Sequence, residues 1–136
     1  MIVTRTPLRV SLLGGGSDYP AWYQRHGGLC VGGTIARYVY LSVRWLPPYH
    51  PFRTRVVYRE TEEVAGNDAV RHPAVRACLQ AAGLGRPDSP GLEITHTADL
   101  PARSGMGTSS AFVVRLLNAL FALQGVFKSP ADLAGL

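Results

Sequence analysis

Two short stretches gather the residue types that could do chemistry on an anion. The first runs from Asp99 to Ser110 (Asp-Leu-Pro-Ala-Arg-Ser-Gly-Met-Gly-Thr-Ser-Ser) and leads into a long apolar segment. Gly105 and Gly107 let backbone approach a phosphate, while Thr108, Ser109 and Ser110 place hydroxyls where a helix should begin. The first amide N–H groups of a helix lack intrahelical partners, and the dipole adds partial positive charge, so such a start binds anions without needing a lysine. The second stretch is Gly14-Gly-Gly-Ser-Asp18, which puts a carboxylate beyond an apolar strand, where it could accept bonds from sugar hydroxyls.

The spelling separates the first stretch from better-known loops. No lysine precedes the hydroxyls, so it is not GxxxxGK[ST]; Ser110 stands where GxGxxG needs its third glycine. Neither Ser109 nor Ser110 is bracketed by glycines as a GxSxG nucleophile would be. Local chemistry leaves a bland reading beside the functional one: a small-residue turn capping a buried helix. Asp18 likewise reads as a loop-satisfying residue that caps the next helix, and Arg9 as a surface or ion-pairing group.

The elements that must position these residues follow from periodicity. Ile2 to Leu13 reads as a strand, Tyr19 to His26 as a short helix stopped by Gly27-Gly28, and Leu29 to Ile35 and Tyr38 to Trp45 as strands. Pro47, Pro48 and Pro51 force a turn, after which Thr54 to Tyr58 is expected to return as the second strand of a hairpin. Pro73 to Leu84 has helical spacing, Leu92 to Thr97 alternates as a strand, and a helix spans about Ser109 to Leu123. That last helix is apolar nearly all round and should be buried on most sides. Ser129 opens a further helix.

Composition bounds the answer. The chain has 136 residues, 46% hydrophobic and 17% charged, within the range of one globular domain. Its formal net charge of +5 comes almost wholly from scattered arginines, which favours small anionic ligands over a nucleic-acid stripe. Two distant cysteines, Cys30 and Cys78, form neither a CxxC nor a disulfide framework and read as small buried residues. The start has no signal-peptide order, and the apolar stretch Ala111 to Leu123 is interrupted by Arg115 and Asn118, so a cytoplasmic protein without membrane contact is expected.

Taken together, the two stretches carry a resemblance. Thr6-Pro-Leu-Arg-Val-Ser-Leu-Leu-Gly-Gly-Gly-Ser-Asp-Tyr19, with Gly28 and Thr34-Ile-Ala-Arg-Tyr-Val-Tyr40, resembles the amino-terminal motif of the GHMP small-molecule kinases. Pro101-Ala-Arg-Ser-Gly-Met-Gly-Thr-Ser-Ser-Ala111 resembles their ATP-phosphate motif PxxxGLGSSA, with Met106 and Thr108 in place of the commoner Leu and Ser. The triple glycine, the Arg-Tyr-Val-Tyr strand and the run from Glu60 to Arg76 look most like the branch acting on D-glycero-D-manno-heptose 7-phosphate; Gly15-Gly16 stands where galactokinases carry Glu-His.

The resemblance implies an α+β fold, a two-layer mixed sheet with helices on one face, and ATP and Mg²⁺ as cofactors. It implies transfer of a phosphoryl group to a sugar hydroxyl, the anomeric one in the heptose branch, with another sugar or polyol, or a non-catalytic module, as alternatives. It places Pro101, Ser104, Gly105, Met106, Gly107, Thr108, Ser109 and Ser110 on the ATP-binding loop, with Ser109 offered to Mg²⁺, or Ser110 if the loop is shifted by one residue. Gly15, Gly16, Ser17 and Asp18 fall on the substrate side and Arg9 near the reacting hydroxyl. The sequence itself does not name the acceptor: Arg5, Arg37 and Arg103 are candidates for holding its phosphate and read equally well as surface charge. The family's catalytic aspartate and third glycine-rich motif have no counterpart here. Residues 1–136 are therefore expected to be an amino-terminal domain whose carboxy-terminal half is absent, inactive by itself and exposing apolar surface, above all on the Ala111 to Leu123 helix.

Overall fold

The computed structural model describes residues 1–101 and 108–134. Five strands, β1 (Ile2–Leu13), β2 (Val31–Trp45), β3 (Thr54–Val57), β4 (Thr61–Val64) and β5 (Leu92–Ala98), form one mixed sheet in the order β1-β2-β5-β3-β4. All neighbours are antiparallel except β3 and β5, which run parallel. The helices are α1 (Pro20–His26), α2 (Pro73–Ala81), α3 (Thr108–Leu123) and α4 (Pro130–Ala134). The expected two-layer α+β architecture is present.

The two strands expected at 29–35 and 38–45 are a single strand with an irregularity. Pro7 pairs with Tyr38 but Leu8 pairs with Ile35, so Ala36 and Arg37 are extra residues opposite that step. Proline has no N–H to donate, and a bulge absorbs the broken ladder there. The hairpin expected between Thr54 to Tyr58 and the preceding strand does not form. β5 inserts between them, and β3 instead turns back on β4, a strand that periodicity did not show. Gly91 permits this insertion: Leu46 N–H donates to its carbonyl at 2.8 Å, and a Cβ on Gly91 would lie 2.1 Å from the Arg53 carbonyl oxygen.

Period-two alternation sends one set of side chains to the helices. Leu41 and Val43 of β2, Val56 of β3 and Leu92 and Ile94 of β5 are buried against Val75, Cys78 and Leu79 of α2 and Leu116, Leu117, Ala119 and Leu120 of α3. Each such side chain contributes roughly 1.5–3 kcal/mol by leaving water. The other face carries a polar ladder across four strands: Arg44 pairs with Glu93, Glu93 with Arg55 at 3.6 Å, and Arg55 with Glu63 at 3.5 Å. At its β1 end Arg5 lies over the Tyr38 ring, 4.5 Å from the centroid.

Buried Glu62 ties β4 to the start of α2. Its carboxylate accepts from the Arg71 N–H at 2.7 Å, the His72 N–H at 3.1 Å and the Tyr58 hydroxyl at 3.0 Å. His72 caps α2 by accepting from Val75 N–H, with Pro73 at the first helical position, where a missing N–H costs nothing.

α3 is buried or half-buried on most sides, as expected, and leaves one stripe exposed. Arg115, Leu116, Leu117, Ala119 and Leu120 are buried, but Ser110, Val114, Asn118 and Ala122, spaced four apart, are exposed. Most of the exposed apolar surface lies elsewhere, around Leu12, Leu13, Tyr19 and Leu29. Among the described residues no helix is long and apolar enough to cross a membrane.

Candidate functional site

The glycine loop after β1 is held from within. Gly14 has φ +95°, and a Cβ there would lie 1.9 Å from the Leu29 carbonyl oxygen, so only glycine fits both the conformation and the approach. The Ser17 hydroxyl lies within hydrogen-bonding distance of the Gly14 and Leu29 carbonyls, at 3.0 and 3.1 Å, and the Cys30 thiol donates to the Gly14 carbonyl. Ser17 thus works on its own loop, and Cys30 is exposed rather than buried. Cys78 is buried as expected, and burial pushes its thiol up to about 11, which makes it inert.

Asp18 does not cap α1. The cap position is Tyr19, without a side-chain bond, and Asp18 reaches backwards to accept from Gly16 N–H at 2.9 Å. Asp18 is exposed, and one carboxylate oxygen takes this bond. Gly16 adopts φ +111°, and a Cβ on Gly15 or Gly16 would meet open space.

The phosphate-loop stretch is anchored at its entry. Asp99 pins the end of β5 to β2 by accepting from Tyr38 N–H at 2.7 Å and donating its own N–H to the Tyr38 carbonyl. Pro101 is next, exposed. Arg103, Ser104, Gly105, Met106 and Gly107 lie outside the described residues. The structure resumes at Thr108, where α3 begins, with Ser109 and Ser110 exposed on its first turn.

β1 and α3 meet along a cleft of about 550 Å³ lined by Thr4, Arg5, Thr6, Pro7, Arg9 and Thr34 on the sheet side and Ser110, Ala111, Val114, Arg115 and Asn118 on α3. Arg9 and Thr34 also border a smaller cavity of about 250 Å³ with Ser11 and Cys30. Residues of both motifs, Arg9 and Ser110 among them, therefore line the same space. Ser109 and the Gly15 to Asp18 segment do not line it, nor does Arg37, whereas Arg5 does. Among the described residues no acidic side chain lines this cleft.

Arg115 is the residue that sequence reasoning missed, having registered only as an interruption of an apolar run. It is 3% exposed, and Nη1 donates to the Val39 carbonyl, while Nε and Nη2 are buried without a partner among the described residues. Burial pulls its guanidinium down to about 10, so it stays charged at neutral pH. Burial, and then the Arg115 and His72 charges, pulls neighbouring His96 below its ordinary value, which keeps that imidazole neutral. A lone arginine amid leucines is itself a signal, because charged residues are almost never fully buried without a partner.

The donor set fits a nucleotide phosphate and a single Mg²⁺ ligand. The first turn of α3 offers helix-start N–H groups and the exposed Ser109 hydroxyl, and Mg²⁺ is commonly held by one or two protein oxygens plus substrate phosphates. Among the described residues no cluster of His, Cys, Asp or Glu could hold a metal by itself.

Comparison with known proteins gives a family and a fold. The family model described as GHMP kinases N terminal domain matches residues 67–136, a stretch that contains the Pro101 to Ser110 loop and α3 but not β1 or the first glycine loop. A search of curated protein sequences returns no significant match. Among solved structures, a D-glycero-D-manno-heptose 1-phosphate kinase from Bacteroides thetaiotaomicron superposes with TM-score 0.77 at 23% identity, over 98% of this chain and 45% of that one. The mevalonate kinase of Methanococcus jannaschii gives 0.70 at 11% identity, over 98% and 44%. A Streptococcus pneumoniae phosphomevalonate kinase solved with phosphomevalonate and AMPPNP gives 0.63 at 16%, over 95% and 39%. At these identities the likeness establishes a shared fold, and the chain spans less than half the length of each structure.

Proposed function

This chain belongs to the GHMP kinases, and from that premise we propose that it is the nucleotide-phosphate-binding half of an ATP-dependent sugar kinase. The acceptor we propose is D-glycero-D-manno-heptose 7-phosphate, phosphorylated at its anomeric hydroxyl. The observation that carries the reading is the shared cleft, lined by Arg9 of the first motif and Ser110 of the second. A heptose kinase among the solved structures of the same fold supports the choice of sugar.

In this reading the first turn of α3 binds the nucleotide phosphates through its N–H groups, and Ser109 gives one oxygen to Mg²⁺. Mg-ATP, when bound, supplies the phosphoryl group. Arg9, carried on a paired strand, stabilises the charge that develops during transfer. Asp18 accepts from sugar hydroxyls with the carboxylate oxygen not engaged by Gly16. Pro101, Ser104, Gly105, Met106 and Gly107 complete the phosphate loop, and Gly15, Gly16 and Ser17 shape the sugar side. The proton acceptor belongs to a carboxy-terminal half, which the greater length of the matched structures supports.

The test is turnover. A gene product extended to the length of the matched kinases should convert heptose 7-phosphate and Mg-ATP to an anomeric phosphate visible by ³¹P NMR, while the 136-residue chain should give no signal above background. Turnover by the short chain would overturn the two-half account. Failure of the extended protein with every sugar phosphate tried would leave a binding module as the reading.

A further inference from the structure

We propose that the cleft between β1 and α3 is a second anion site, distinct from the nucleotide loop, in which Arg115 holds the phosphate that the acceptor already carries. Only the identity of the acceptor rests on the kinase reading; the anion site stands on the geometry of Arg115 itself.

Arg115 is buried from solvent, and one arm of its guanidinium is fixed by the Val39 carbonyl. The remaining edge, Nε with Nη2, has no partner among the described residues. Those two N–H groups form the planar fork that meets two oxygens of a phosphate or carboxylate at once. A buried charge with an empty fork is costly unless an anion completes it. Arg115 is among the residues that line the cleft, which puts the unpartnered edge next to the space an anion would fill.

The rest of the lining matches that occupant. Arg9 adds a further cation, Thr4, Thr6 and Thr34 add hydroxyls, and no acid is among the described lining; Arg5 borders the cleft, but its guanidinium lies over the Tyr38 ring. Two arginines, Arg115 and Arg9, with no acid among the described lining suit a dianion such as a phosphate monoester better than a carboxylate. Arg115 lies five residues beyond Ser110, about 7.5 Å further along α3 at 1.5 Å per residue. One sugar phosphate can span that interval, with its hydroxyl end toward the helix start and its phosphate on Arg115.

Inorganic phosphate is the probe. Titrated into the 136-residue chain in phosphate-free buffer, it should raise the melting temperature, and Arg115→Gln should weaken that response at least tenfold. Arg115→Met, which removes the charge while keeping a long apolar stem, serves as the folding control. It should melt no lower than the parent in phosphate-free buffer, yet lose the response. Heptose 7-phosphate should reproduce the shift and the unphosphorylated sugar should not. Equal phosphate responses in parent and Arg115→Gln, or none in the parent, would overturn the proposal. Mg-AMPPNP, titrated in parallel, separates the two ideas. Nucleotide binding with an Arg115-independent phosphate response sinks the anion site alone. No nucleotide binding with an Arg115-dependent response sinks the kinase reading alone.

Discussion

Arg9→Ala in the extended kinase should lower kcat by about 10³-fold, the lower end of what a charge-stabilising arginine supplies in phosphoryl transfer. Arg9 is exposed on β1, so the substitution should leave stability within about 0.5 kcal/mol of the parent. An arginine that acts on developing charge affects kcat more than KM, because its contacts strengthen in the transition state. Arg9→Lys should recover part of the loss, since it restores charge without the planar fork. Steady-state kinetics on the three proteins check this; a kcat unchanged within twofold would make Arg9 an ordinary surface residue.

Glu62→Ala should destabilise the fold by about 3 kcal/mol. It removes the common acceptor of three donors, and each buried donor left unsatisfied costs roughly 1–3 kcal/mol. The Arg71 side chain is largely exposed, so its ion pair with Glu62 adds little. The same network sets a pH dependence. Burial by itself would raise the Glu62 carboxyl, but the Arg71 N–H, the Tyr58 hydroxyl, the Arg71 charge and the His72 N–H outweigh it and hold the group below the usual carboxylate range. A carboxyl depressed in the folded state contributes its stability above its unfolded value and loses it as pH falls through the folded one. Denaturant melts of the parent should therefore weaken below about pH 4.3, the unfolded Glu value. Glu62→Ala should lack that part of the acid sensitivity. Equal acid slopes in both proteins would contradict the assignment.

What the sequence concealed has identifiable causes. β4 escaped because Thr-Glu-Glu-Val puts a carboxylate at its inward position, and alternation treats a glutamate as outward-facing. Here the start of α2 supplies the donors that make an inward glutamate tolerable. The parallel pairing of β3 with β5 escaped because turn residues fix only the local reversal of the chain, not which distant strand inserts beside it. By contrast α3 and β5 are legible to within one residue at each end and α2 at its start, though α2 ends three residues before the expected Leu84, since each combines clear periodicity with proline, glycine or hydroxyl punctuation.

The site divides along the same line. The motifs named Arg9 and Ser110, and the fold brings them to one cleft. No motif spacing could reveal Arg115, because its importance lies in the two nitrogens that packing leaves without partners. Ser17 shows the reverse case, a residue of functional appearance whose hydroxyl is turned onto its own loop.

The central claim is that the start of α3 grips nucleotide phosphates, and calorimetric titration of Mg-AMPPNP into the parent chain and Gly107→Val tests it directly. The account predicts one site in the parent, with about 2.7 kcal/mol of added stability at a hundred times the dissociation constant. It predicts neither in Gly107→Val, where a branched side chain would stand between backbone and phosphate. Absence of binding by the parent, or equal binding by both proteins, would contradict it.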